Sequence, residues 1–444
     1  MRHSESAITL TEIDTKAAAA PALQQQQATV LSGSLIMLIA MMAVNVFNFA
    51  YNMVMARVLG PAAFGNINAA VTLLLLASCI SLAFQLVCAK FVARNPAASG
   101  KAAVVHDLLS KAWIASLALG AGLFVAQKPI AAYLNVPSPW IIGILALGIA
   151  AYAPLGVKRG AMQGVCAFPR LGVNFVLEAL TRFFVGAGLV VAGYGVLGAV
   201  GAISASVIVA CFVPPVPVEL RVEAGAAEPP SFAEALQAIV FFVGQVIITN
   251  VDILLVKHFF PSDPAGVYAA ISQIGRLLYF AAWFGVVNAM FPVTAAASHG
   301  QNKDKTRQKA HGIGLPLLLV TGLSLIFIVI AALFPHLIMG VIFGSRFIEI
   351  GWLLALYAAA TALYSLSVVF IAYEMSRRIA NTGWLQLIFS GALVLGIGLF
   401  HGSLHEVIMV RIILMAVMLV LVAVPFLRNH FLRNHGKGSP VEAV

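Results

Sequence analysis

The chain has 444 residues, 61% of them hydrophobic and only 9% charged. A soluble domain carries about 25% charged residues, so this composition excludes a soluble protein and requires a membrane. The formal net charge of +10 sits in loops at helix ends, where it sets orientation and gives no case for a nucleic-acid partner.

In chain order, residues 1–30 read as a disordered cytoplasmic tail; Glu5, Glu12 and Asp14 distinguish it from the basic start of a signal peptide. A spanning helix needs about 20 apolar residues, and twelve segments qualify. The first six are Leu31–Ala56, Gly65–Ala89, Ala112–Gln127, Ser138–Val157, Leu171–Ala192 and Gly195–Pro215. The second six are Ala235–Val256, Ala265–Ala297, Gly312–Phe334, Ile350–Tyr373, Ile379–Phe400 and Val407–Leu427. The third is short, with Lys111 and Lys128 expected to snorkel from its ends. The eighth exceeds one bilayer crossing and is expected to tilt or project. The predicted fold class is therefore an all-α polytopic membrane protein with twelve transmembrane helices.

Twelve spans place both termini on one side. The connections on that side carry Lys90, Arg94, Lys158, Arg159, Arg170 and the run Lys303, Lys305, Arg307, Lys309. The other side shows only Arg57, Lys128, Lys257 and Arg346. The asymmetry predicts cytoplasmic termini. Pro214, Pro215 and Pro217 close the sixth span, and residues 217–234 read as a cytoplasmic linker. It separates an N-terminal six-helix lobe, 31–216, from a C-terminal six-helix lobe, 235–427, with a cytoplasmic tail over 428–444. The lobes resemble each other at an offset of 200: Asn52 with Asp252, Arg57 with Lys257, Pro61 with Pro261. Duplicated six-helix halves point to a transporter with its path between them.

Polar groups inside lipid are costly and mark function or internal pairing. Asn45, Asn48 and Asn52 share one face of the first span, and Gln245 and Asp252 occupy matching offsets in the seventh. Amides suit hydroxyl-rich ligands, or hydrogen bonds between helices. Glu178 and Arg182, four apart, form an internal ion pair unless Arg182 is shared with an anionic substrate. Arg276 lacks a local acid. It either contacts a substrate oxyanion, which a guanidinium binds in two-pronged fashion, or pairs with Asp252 on the neighbouring span. Asp252 is then an ion-pair partner, or a site for a coupling proton or sodium ion. Arg57 and Arg411 lie near the outer surface and are expected to snorkel. Tyr51, Tyr268, Tyr279, Trp283 and Tyr364 are expected to anchor at the lipid interface or pack internally, or else to stack on sugar rings. Gly195, Gly198 and Gly201 are expected to serve close helix packing. His401, His405 and Glu406 imitate a metal pair without the further ligands, so no metal is expected. The four cysteines show no metal or disulfide spacing. No phosphate-binding loop motif is present, so ATP is not expected to drive the protein directly, and no cofactor is expected. Nor is there a nucleophile–base pair, so an enzyme is not expected.

The segment Ala56–Gly65 resembles the signature that follows the first helix of polysaccharide-transport flippases. Arg159–Gly164, Phe168–Arg170, Glu178 and Arg182 resemble their fourth and fifth helices. Gly195–Ala199 looks like the start of their sixth, and Asn250–Asp252 with Gly266–Ala270 like the start of their second half. The family lies in the multidrug, oligosaccharidyl-lipid and polysaccharide flippase superfamily. The resemblance implies alternating access in the inner (cytoplasmic) membrane of a bacterium, with a polyprenyl-diphosphate-linked oligosaccharide as substrate. It also implies membrane lipids, a polysaccharide polymerase and glycosyltransferases as partners. On this reading Arg182 and Arg276 take the diphosphate, and Asn45, Asn48, Asn52, Gln245 and Asn288 take the sugar. A multidrug antiporter of the same superfamily and a non-transporting scaffold of a synthesis complex are the alternatives.

Overall fold

The computed structural model describes residues 33, 35–95, 97–213, 232–282, 305–376 and 383–435. Asn288, Trp283, most of the linker, the N-terminal tail and residues 436–444 lie outside them, as do residues 283–297 of the expected eighth span; residues 428–435, expected in the C-terminal tail, continue the last helix. The described chain is helical, and nine of its helices are long and apolar enough to cross a membrane.

The first half opens with α1 (Leu35–Leu59). Gly60, at φ 83, turns the chain sharply, and Pro61 starts α2 (Pro61–Arg94) at a position where its missing N–H costs nothing. Next come α3 (Ala98–Val125) and the short α4 (Gln127–Tyr133). The fourth span is α5 (Trp140–Ile149) and α6 (Tyr152–Gly164), broken where Pro154 has no N–H to continue the ladder. The fifth and sixth spans are α7 (Phe168–Val191) and α8 (Gly195–Phe212).

The second half runs α9 (Phe232–Phe259), α10 (Ser262–Ala282), α11 (Lys305–Leu333), α12 (Pro335–Phe343), α13 (Leu353–Ser376), α14 (Gly383–Leu399) and α15 (Leu404–His435). Helices of each half pack mainly on one another: α2 on α6 and α7 on α8, then α9 on α14 and α13 on α15. The halves meet where α2 lies against α9 and α10.

Small residues set these distances. Gly156, Gly160 and Gly164 form one stripe of α6; a Cβ on each would fall 2.2, 2.4 and 2.7 Å from the carbonyls of Ser81, Gln85 and Ala89 on α2. Side chains there are impossible, so the two backbones touch. Between the halves, a Cβ on Gly266 would fall 1.8 Å from the Pro61 carbonyl, and one on Gly65 3.1 Å from Gly266 Cα. The starts of α2 and α10 thus press together, at the end of the bundle opposite the start of α1.

Three sequence expectations change. The third span is not short: α3 starts at Ala98, so Lys111 lies within the helix and pairs with Asp107 at 2.8 Å. The fourth span does not end at Val157 but continues to Gly164, which carries Arg159 into the protein at 5% exposure. Of the three glycines at the start of the sixth span, only Gly198 is tightly packed; Gly195 meets nothing within 4 Å and instead supplies a φ of 52.

Candidate functional site

The asparagine face of α1 lines a cavity of about 330 Å³. Asn45, Asn48 and Asn52 face Gln273 and Leu277 of α10 across it, and Leu38, Met41, Met42, Val46 and Phe49 complete the wall. Asn45 and Asn52 donate their amide N–H groups to the carbonyls of Met41 and Asn48, four residues back, at 2.9 and 2.8 Å. Gln273 reaches across the halves, donating to Asn68 at 2.9 Å and to Asn52 at 3.5 Å. The cavity is thus mainly hydrocarbon with four amides set into its wall, and it lies between α1 of the first half and α10 of the second.

A second cavity, of about 190 Å³, opens on the other side of Asn48. Tyr152, Arg159, Phe175, Glu178 and Arg182 lie in its wall. Each oxygen of Glu178 takes one guanidinium, Arg159 on Oε2 and Arg182 on Oε1, both at 2.6 Å. Arg182 also donates to Asn48 Oδ1 at 3.1 Å, which joins the charged cluster to the amide face. Two cations share one anion, so the cluster carries one net positive charge beside the cavity. The expected Glu178–Arg182 pair is present, and Arg159 joins it from a segment the sequence placed in a loop.

The second half is arranged differently. Asp252 is fully buried, and its Oδ2 accepts from Arg411 at 2.6 Å, Tyr268 at 2.8 Å and Tyr357 at 3.0 Å. The expected Asp252–Arg276 pair is therefore replaced by Asp252–Arg411. Arg411 does not snorkel: it is 1% exposed, because α15 begins one turn earlier than Val407. Its guanidinium lies 4.8 Å from the centre of the Tyr357 ring. Arg276 instead donates to Asn250 Oδ1 and to the carbonyl and hydroxyl of Ser272, the latter two at 3.2 and 3.1 Å. Positions 273 and 277 of α10 face the first cavity, while Arg276 turns to Asn250 on α9. Gln245 donates to the Tyr279 hydroxyl rather than standing in that cavity's wall. Tyr51, Tyr268, Tyr279 and Tyr364 are all buried inside the halves. His401 and His405 stack on Phe259 and Trp352. Among the described residues no group of three His, Cys, Asp or Glu side chains is placed to hold a metal.

Residues 54–351, well over half of the chain, match the family described as polysaccharide biosynthesis protein. The chain belongs to that family. It is a multi-pass membrane protein, with nine candidate spans among its described residues. Solved structures of transporters of the multidrug, oligosaccharidyl-lipid and polysaccharide flippase superfamily share its fold. One is an inward-facing multidrug resistance MATE family transporter, 15% identical, with a TM-score of 0.70 over 89% of this chain and 96% of the other. A superfamily transporter from Pyrococcus furiosus, noted for reversed polarity of its binding pocket, gives 0.58 at 15% identity over 89% and 93%. An outward-facing MATE family transporter gives 0.57 at 16% identity over 93% and 97%. No curated protein sequence matches the chain. The architecture of this family member is thus twelve transmembrane helices in two six-helix lobes. The residue that sequence reading missed is Arg159, and its signal was present: the glycine stripe at 156, 160 and 164 continues helical spacing past Lys158 and Arg159.

Proposed function

We propose that this family member is a flippase, moving a polyprenyl-diphosphate-linked oligosaccharide across the cytoplasmic membrane of a bacterium. The two lobes, 31–216 and 235–427, joined by the linker 217–234, alternate in access around the cavity between them. The observation that carries this reading is the composition of the cavity wall. Amides of Asn45, Asn48, Asn52 and Gln273 suit a sugar, the flanking methionines and Leu277 suit a lipid chain, and the net cation beside Asn48 suits a diphosphate. We assign the headgroup role first to Arg182, and keep Arg276 as a second cation behind the Gln273 face.

The multidrug antiporter reading calls for a carboxylate free to meet an organic cation. Asp252 and Glu178, the deep acids, are both neutralised by arginine, which favours the flippase. The test is movement of a fluorescent polyprenyl-diphosphate oligosaccharide in proteoliposomes, with and without a proton or sodium gradient. Translocation by the wild type and its loss in Arg182→Gln are expected. Efflux of an organic cation with no movement of the lipid-linked sugar would overturn the assignment.

A further inference from the structure

The two arginines on Glu178 are not held alike. Arg159 is fixed on three sides. Its Nε donates to Asn174 Oδ1 at 2.8 Å, its Nη2 to Glu178 at 2.6 Å, and its guanidinium lies 3.9 Å from the centre of the Phe175 ring. Asn174 is anchored in turn, donating to the Ala210 carbonyl at 2.9 Å. Arg159 is 5% exposed and reaches Glu178 from α6, a helix locked onto α2 by its glycine stripe. Arg182 has only Glu178, on its own helix, and the Asn48 side chain. Its Nε is buried with no partner, and the residue lines the cavity wall.

We infer that Arg159 is a positioning residue that keeps the Glu178 carboxylate compensated so that Arg182 can leave it for an anionic group of the substrate. The inference rests on the anionic-headgroup reading above and adds a role to it. A buried carboxylate with a single arginine cannot release that arginine without standing uncompensated, which is strongly unfavourable. With two, one oxygen keeps its cation while the other is vacated. The arginine that stays is the one gripped by Asn174 and Phe175, and the one that leaves has an unused N–H. Turning Arg182 toward an oxyanion exchanges one charge-assisted hydrogen bond for one or two others. The Glu178 carboxylate is left without a cation at no stage. The probe class is therefore a phosphate or diphosphate ester on a lipid chain.

The full chain in detergent micelles, titrated with geranylgeranyl diphosphate and with geranylgeraniol as the neutral control, tests this. The wild type is expected to bind the diphosphate in preference to the alcohol. Arg159→Gln leaves Arg182 as the sole partner of Glu178, so affinity for the diphosphate should fall about tenfold or more, the cost of one charge-assisted bond left unmade, at little-changed melting temperature. Glu178→Gln removes the competitor and should bind the diphosphate at least as tightly as the wild type. The double variant Arg159→Gln/Glu178→Gln should regain wild-type affinity, because Arg182 is free again. Wild-type affinity in a folded Arg159→Gln protein overturns the role of Arg159, as does weakened binding by Glu178→Gln or the double variant at normal melting temperature. If Arg159→Gln does not fold, those two variants decide. Undiminished binding by Arg182→Gln, or no preference of the wild type for the diphosphate, removes the anion site itself, and the inference with it.

Discussion

Asp252 and Arg411 stand 159 positions apart in the chain, and no local pattern links them. Their burial makes a sharp double-mutant prediction. Asp252→Asn or Arg411→Gln alone strands a buried partner and should cost about 3–5 kcal/mol. Removing both should recover most of that loss. Asp252→Asn/Arg276→Gln, the pair suggested by sequence neighbourhood, should melt no higher than Asp252→Asn. Thermal unfolding in detergent reads all four, and recovery by the second double variant but not the first would reject the observed pairing. The sequence showed which polar side chains lie deep in the membrane, since any charge within an apolar run is visible. It did not show who meets whom. Arg411 was misread because a span start shifted by one turn moved it from the interior to the surface. Arg159 was misread because two adjacent bases look like the end of a helix.

At the scale of elements, the glycines decide how close helices come. Gly65 and Gly266 both lie in the first turns of the second helix of their half, and they bring α2 and α10 into backbone contact. Gly266→Ala places a methyl group where the Pro61 carbonyl now is, so the helix starts must part. A cysteine at Ala69, fully buried on α2, reports the parting. An impermeant thiol reagent should modify Ala69→Cys faster in the Gly266→Ala background, with the protein still folded. Equal rates would show that the contact does not hold this end closed. The spans themselves were legible in sequence, because about 20 apolar residues have no other plausible home. Their ends were not, since helices such as α3 and α6 carry polar residues well beyond the apolar run.

At the scale of the whole molecule, the end opposite the start of α1 is closed by side chains that cap helix ends of the other half. Asp263 accepts from the Ala62 N–H at the start of α2, at 3.1 Å. Arg57 donates to the Val341 and Ile342 carbonyls at the end of α12. Asn135 donates to the Lys257 and His258 carbonyls at the end of α9, at 3.4 and 2.8 Å. The His258 ring stacks on Tyr133 at 3.9 Å, with Nδ1 2.6 Å from its carbonyl. These pairings place charge and amide where helix ends leave backbone groups unsatisfied. Combining Arg57→Ala, Asn135→Ala and Asp263→Ala should open this end stepwise, read by the same Ala69→Cys labelling; rates that do not rise with each added change would show the caps are incidental. The excess of basic residues at the other end predicts that it is cytoplasmic. Ser345→Cys should therefore react with an impermeant reagent added to intact cells, and Ser99→Cys should not; the reverse pattern would invert the topology.

Apart from the His258–Tyr133 stack, the closure is written into one partner of each of these contacts. What Asp263, Arg57 and Asn135 grip is main chain, and main chain is the same whatever residue carries it. Natural variation at Val341 or Ile342 therefore leaves the gripped carbonyl in place, and a map of coevolving positions would be nearly silent at these contacts although they are real. From the far side only proline at Ala62 deletes the gripped group, since it alone removes an N–H. A saturation scan should find Val341 and Ile342 tolerant, and the side chain of Arg57 that reaches for them intolerant.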